Sequence, residues 1–218
     1  MNKEEALPVR VVNVSKAYVN SNGKEVPVLK KVNLRVCRGE MVCLMGPSGC
    51  GKTTLLNLLA GFDLPTEGEI FVNGRKVEAP GPDRGVVFQE DALFPWLNVR
   101  ENISYGLHLK KMTKKEIQSH VNWVIEATGL KGFEGHFPGQ LSGGMKQRVS
   151  LSRVLVNSPD ILLMDEPFAS LDAQTRSSMQ KLLIQLWNSL RQTVLFITHD
   201  VDEAIFLGDR IYLMSPSP

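Results

Sequence analysis

The strongest chemical signal in the chain is the run Gly46-Pro47-Ser48-Gly49-Cys50-Gly51-Lys52-Thr53. It fits Gly-x-x-x-x-Gly-Lys-Ser/Thr, a pattern whose glycines let successive backbone N–H groups turn toward a phosphate. Lys52 supplies a charge to oppose β- and γ-phosphates, the Thr53 hydroxyl is a ligand for Mg²⁺, and Thr54 continues the same phosphate-binding set. A second constellation, Ile161-Leu162-Leu163-Met164-Asp165-Glu166, is an apolar run ending in two carboxylates. Asp165 is suited to hold Mg²⁺, directly or through water, and Glu166 to take a proton from an attacking water. A third, Leu141-Ser142-Gly143-Gly144-Met145-Lys146-Gln147-Arg148, reads as a capped helix start with two glycines leaving N–H groups open to an anion. With one phosphate loop already present, this second anion site calls for another ligand or another subunit's nucleotide.

These residues need elements to position them. Val9 to Val14 and Val28 to Val36 read as strands of an antiparallel edge, turned at Asn20 to Lys24. Met41 to Met45 is a buried strand, and Lys52 to Ala60 a helix stopped by Gly61. Glu69 to Val72 and Gly85 to Phe88 read as short strands. Helical patterns then take over at Val99 to Leu109, Lys114 to Thr128 and Gly144 to Val156. Strand character returns at Ile161 to Met164, Val194 to Thr198 and Arg210 to Met214. The helix from Ala173 to Leu190 carries Met179, Leu182, Leu183, Leu186, Trp187 and Leu190 as a core stripe. The expected fold is α/β: a parallel-sheet core, an N-terminal antiparallel β subdomain and an inserted α-helical subdomain.

Composition narrows the function classes. With 218 residues, 43% hydrophobic and 22% charged, the chain has material for a packed core and is no disordered segment. A net charge of +2 leaves no broad basic field for nucleic acid, so anion binding is local. Cys37, Cys43 and Cys50 show no disulfide or zinc spacing and suit a reducing compartment. Cys50 lies in the phosphate loop at a helix start, where the field favours thiolate, so a maleimide adduct there is expected to block the site; an inert thiol shielded by burial in the loop is the equal alternative. Met1 to Pro8 does not read as a secretory signal, and no run reaches the ~20 apolar residues of a membrane span.

Taken together and in order, the motifs from Tyr18 to His199 closely resemble the ATP-binding cassette family. The resemblance implies a P-loop NTPase (RecA-like) core and a single nucleotide-binding domain over 1–218. Its ATP-binding core and β subdomain would be 1–90 and 158–218, with the helical, signature-bearing subdomain at about 91–157. It implies that Tyr18 stacks on adenine and that Gln89 reaches Mg²⁺ and the attacking water. It also implies that Ser142, Gly143 and Gly144 close over the ATP of the opposite subunit, that Asp172 in Ser170-Leu171-Asp172 lies at the dimer interface, and that His199 contacts the γ-phosphate. On residue type alone, Tyr18 is more often a strand-end packing residue, Gln89 usually a loop residue and His199 more often structural, while Asp172 is equally a helix cap.

Within the family, Pro80-Gly81-Pro82-Asp83-Arg84-Gly85-Val86-Val87-Phe88-Gln89 and Leu93-Phe94-Pro95-Trp96-Leu97 resemble the nitrate, sulfonate and taurine importers. The implied activity is ATP hydrolysis by a homodimer or paired cassette subunit, driving import of a small anion. A separate integral membrane permease is expected to dock near Phe94, Pro95 and Trp96, with a substrate-binding protein as an indirect partner; core packing is the alternative for these rings. The implied place is the cytoplasmic face of the cell membrane, held peripherally. Two rivals are a soluble kinase or GTPase and a non-transport cassette acting on a soluble or nucleic-acid partner. The first lacks an Asn-Lys-x-Asp base-reading motif, and the charge lends the nucleic-acid variant no support.

Overall fold

In the computed structural model, which describes residues 7–216, the strand β1 (Val9–Val19) turns at Asn20 into β2 (Glu25–Val36). The Asn20 side chain accepts from the N–H groups of Asn22 and Lys24, at 3.0 and 2.9 Å, which closes that turn. β3 (Met41–Met45) follows, then α1 (Lys52–Ala60), β4 (Glu67–Val72) and the two-residue β5 (Arg75–Lys76). β6 (Arg84–Val87) leads to α2 (Val99–Ser104), α3 (Lys114–Ala127) and α4 (Gly143–Leu155). The chain closes with β7 (Ile161–Asp165), α5 (Ala173–Leu190), β8 (Thr193–Ile197), α6 (Val201–Leu207) and β9 (Arg210–Leu213). Most of the Met1 to Pro8 stretch that was weighed as a signal lies outside the described residues.

The chain divides into two units, one of residues 1–84, 160–165 and 191–218, the other of 85–159 and 166–190. The first unit holds an antiparallel sheet in the order β2-β1-β4-β5 and parallel strands in the order β7-β8-β3-β9. Every residue of β3, β7 and β8 is buried, as expected of parallel strands covered on both faces. Each such aliphatic side chain contributes on the order of 1.5–3 kcal/mol relative to exposure. Because these strands run parallel, their C-terminal ends share one edge, where α/β sheets place ligands.

The second unit is mainly helical. It takes in α5 as well as the segment that sequence reads as an insert. Met179, Leu182, Leu183 and Leu186 of α5 are buried, whereas Trp187 and Leu190 are only half-buried, so the core stripe is narrower than its sequence pattern. The helix expected over Val99 to Leu109 is α2 followed by a tighter 3-10 turn at Tyr105–Leu109. Gly106 belongs to that turn, and a Cβ there would lie 2.8 Å from the Asn157 side chain.

Candidate functional site

β3 delivers the chain into the loop 46–51, and the loop delivers it into α1. Gly51, at φ 98°, is the N-cap of α1, so no side chain caps the helix, and its first turn holds no acidic residue. An added Cβ at Gly51 would also sit 2.6 Å from Leu29 Cδ2. The first N–H groups of the nine-residue helix and its positive end therefore stay available to an anion. Lys52 is buried, and its ammonium donates to the carbonyl oxygens of Gly46 and Pro47 at 2.8 and 3.1 Å. A buried cation satisfied only by neutral acceptors is costly by itself and calls for an anion. The loop thus fits a nucleotide phosphate. Ser48, Gly49 and Thr53 are exposed, so the loop rim and the Thr53 hydroxyl are open to a phosphate and its metal.

The parallel edge brings further residues of the first unit together. Asp165 closes β7 and pairs in register with Ile197 of β8. It is buried, while His199, two residues past β8, is exposed. The turn that carries His199 is held by Asp200, whose N–H donates to Thr198 Oγ1 at 3.0 Å and whose side chain caps α6. Tyr18 lies near the end of β1, 41% exposed, and its phenol donates to Asp63 Oδ2 at 2.9 Å.

Within the second unit, Ser142 is the N-cap of α4, its hydroxyl oxygen accepting from Met145 N–H at 3.3 Å. Gly143 and Gly144 open this 13-residue helix, which has no acidic residue in its first turn. A Cβ at Gly144 would lie 2.4 Å from Thr175 Cγ2, so glycine is what allows α4 to lie this close to α5. Glu166 adopts a left-handed backbone at φ 42°, a sparsely populated region for a non-glycine residue and one that clusters at functional sites. Asp172 caps α5, accepting from the N–H groups of Gln174 and Thr175 at 3.1 and 3.0 Å. Its hydrogen bonds with Thr175, then with Gln174, hold its carboxyl below the usual range. Gln89 is exposed just beyond β6.

The aromatic segment is split in character. Trp96 is 70% exposed, whereas Phe94 is half-buried, its ring centroid 4.6 Å from that of Tyr105 and 5.3 Å from the Arg153 guanidinium carbon. Two features escaped sequence reading: the Asp63 carboxylate beneath Tyr18, and Asn102, which grips the segment at Phe94 and Leu97. Only a faint signal announced the second, the capping pair Asn98 and Glu101 that opens α2. Cys50 is a correction. Its thiol is buried beside Gly46, so the expected attack by maleimide meets a steric block, while the exposed thiol is Cys37.

A strand, a glycine loop with a buried lysine and an uncapped helix, beside a strand-end aspartate, define a P-loop nucleotide-binding protein. Residues 29–169 match the ABC transporter family model. The chain is 49% identical over 212 residues to an ABC transporter ATP-binding protein of Methanocaldococcus jannaschii, covering 97% of this chain and 79% of that one. It is 49% identical to the taurine import ATP-binding protein of Ruegeria pomeroyi, covering 95% and 78% of the two chains. Against the nitrate import ATP-binding protein of Synechocystis sp., identity is 45%, with 97% and 79% covered. A dimeric bacterial ABC transporter cassette superposes with a TM-score of 0.84 at 36% identity, over 95% of this chain and 94% of that one. A post-hydrolysis cassette dimer bound to ADP and phosphate gives 0.82 at 36% identity, covering 94% of each chain. The chain belongs to the ABC transporter family and is an ATPase of the P-loop fold.

Proposed function

We propose that the chain is the ATP-hydrolysing subunit of an importer for a small anion of the nitrate, sulfonate or taurine kind, working with a separate membrane permease. The observation that carries the nucleotide role is the Lys52 ammonium, buried against two carbonyls at the open start of α1. The import role is supported by the taurine and nitrate import relatives. No described helix is long and apolar enough to cross a membrane, which suits a subunit held peripherally, at the cytoplasmic face, by its permease.

In this reading Tyr18 takes the adenine face, the N–H groups of residues 46–54 cradle the phosphates, and Lys52 neutralises the β- and γ-phosphates. Thr53, Asp165 and Gln89 would hold Mg²⁺, which when bound withdraws charge from the phosphate oxygens. Glu166 accepts a proton from water as its oxygen bonds to the γ-phosphorus and the bond to ADP breaks. His199 steadies the γ-phosphate and Gln89 orients the water. Ser142, Gly143 and Gly144 offer the open start of α4 to the γ-phosphate held by a second subunit, with Asp172 at that interface. Phe94, Pro95 and Trp96 receive the permease, and a substrate-binding protein delivers the anion to it.

Glu166→Gln keeps the nucleotide cradle and removes the proton acceptor. Size-exclusion chromatography with light scattering is expected to give a monomer without nucleotide and a dimer with ATP, and Ser142→Arg in the same chain should abolish the dimer. A Glu166→Gln chain that binds ATP yet stays monomeric contradicts the paired-subunit reading. For import, ATP turnover by the chain with its co-expressed permease in vesicles should rise only when anion and binding protein are both present. Turnover indifferent to them contradicts it.

A further inference from the structure

Tyr18 is held by its hydroxyl. The phenol donates to Asp63 Oδ2 at 2.9 Å. The other carboxylate oxygen of Asp63 accepts from Lys16 Nζ and from Leu64 N–H, both at 2.7 Å. Lys16 also donates to the Leu64 carbonyl at 2.8 Å, and its ammonium stands 4.9 Å from the Tyr18 ring centroid. Both charged groups are partly withdrawn from water, with Lys16 12% and Asp63 32% exposed at the side chain. The carboxylate is therefore oriented by three donors rather than free on the surface.

The placement of these partners matters. Asp63 lies just past Gly61, the residue that ends α1. One phenol oxygen thus registers the Tyr18 ring against the far end of the helix whose start forms the phosphate site. With one ring face under Lys16, the remainder of a ring that is 41% exposed stays open to a base. The distance between a base platform and a phosphate cradle decides whether one molecule can use both, and here it is set by side-chain bonds.

We propose that Asp63, clamped by Lys16, is a positioning residue for the nucleotide base, fixing the Tyr18 ring at its working distance from the phosphate loop. This rests on the reading of Tyr18 as the adenine platform. The strut improves affinity by ordering the ring before the nucleotide arrives, so its loss acts on binding and spares the phosphate chemistry.

The test measures dissociation constants for MgATP and for inorganic tripolyphosphate by titration calorimetry, beside KM and kcat. Asp63→Ala and Tyr18→Phe are each expected to weaken ATP about 3- to 10-fold, the cost of leaving one aromatic side chain to be ordered on binding. The double variant should lose no more than either alone. Tripolyphosphate affinity should hold in Asp63→Ala, with KM raised and kcat kept. Tyr18→Phe, which loses only the hydroxyl, decides the matter even where Asp63→Ala fails to fold. Tyr18→Ala separates the two readings: if it weakens ATP while Tyr18→Phe and Asp63→Ala do not, the strut is overturned and the platform stands. If Tyr18→Ala binds ATP as the wild type does, the platform itself is overturned. Loss of tripolyphosphate affinity in Asp63→Ala would also overturn the strut, because Asp63 would then be acting on the phosphate loop.

Discussion

Asn102 clasps Phe94 by both of its backbone polar groups, its side-chain oxygen accepting from the Phe94 N–H at 2.9 Å and its amide nitrogen donating to the Phe94 carbonyl at 3.1 Å. The same amide reaches the carbonyls of Leu97 and Asn98, at 2.8 and 3.1 Å, and the side chain is fully buried. One residue of α2 therefore fixes the loop that presents Trp96.

From this clasp follows an asymmetry. Asn102→Ala strands the half-buried backbone groups of Phe94 and Leu97 and should cost about 1–3 kcal/mol in urea unfolding. Trp96→Ala removes a ring already in water and should change stability by less than about 0.5 kcal/mol, while reducing retention of the chain on its permease. Equal destabilisation by both would show that Trp96 is packed.

The thiols should separate cleanly. Burial, then the charges of Glu203 and Asp209, push Cys43 up to about 12, and Cys50 is sealed beside Gly46. Ellman's reagent at neutral pH should find one fast thiol, Cys37, and Cys37→Ser should leave none. A fast thiol surviving in Cys37→Ser would mean that the phosphate loop opens in solution.

Gly144 can be tested by adding one carbon. Gly144→Ala drives a Cβ to 2.4 Å from Thr175 Cγ2 and should cost about 1–3 kcal/mol through overpacking. Thr175→Ser in the same chain deletes that methyl and should recover most of the loss. A Gly144→Ala chain as stable as the wild type would show that α4 and α5 adjust freely.

Acid should erase one ion pair. Burial by itself would raise the Asp63 carboxyl, but hydrogen bonds from Lys16, Leu64 and Tyr18, with the Lys16 charge, hold it below the ordinary range. A carboxylate that is a stronger acid when folded stabilises fully above its unfolded titration and loses that contribution as pH falls through the folded one. The melting temperature of the wild type should exceed that of Asp63→Asn at neutral pH, and the gap should shrink on acidification. A gap that widens toward acid would contradict the pairing.

What could be read from sequence was what is contiguous. The phosphate loop, the Ser142 cap and the Asp165 strand each complete their chemistry within a few residues, so residue order alone announces them. Tyr18 is recognisable by its place in the order of motifs, but its anchor lies 45 residues away and nothing local marks that bond. Asn102 has the look of a solvated helix residue until the loop folds over it. α6 went unnoticed because seven residues carry too little periodicity. Cys50 misled because a helix start speaks for thiolate chemistry, while access is decided by Gly46 packing against the sulfur.

The proposed ATPase role turns most directly on Lys52, a buried cation whose ammonium donates to the Gly46 carbonyl at the start of α1. Phosphate release from MgATP by the purified chain, set against a Lys52→Ala chain of unchanged circular dichroism, measures it. The expected result is saturable turnover in the wild type and a fall of about 100-fold or more in the variant, the scale of losing a transition-state charge partner. A folded Lys52→Ala chain that hydrolyses ATP at close to the wild-type rate would contradict the assignment of this loop as the phosphate site.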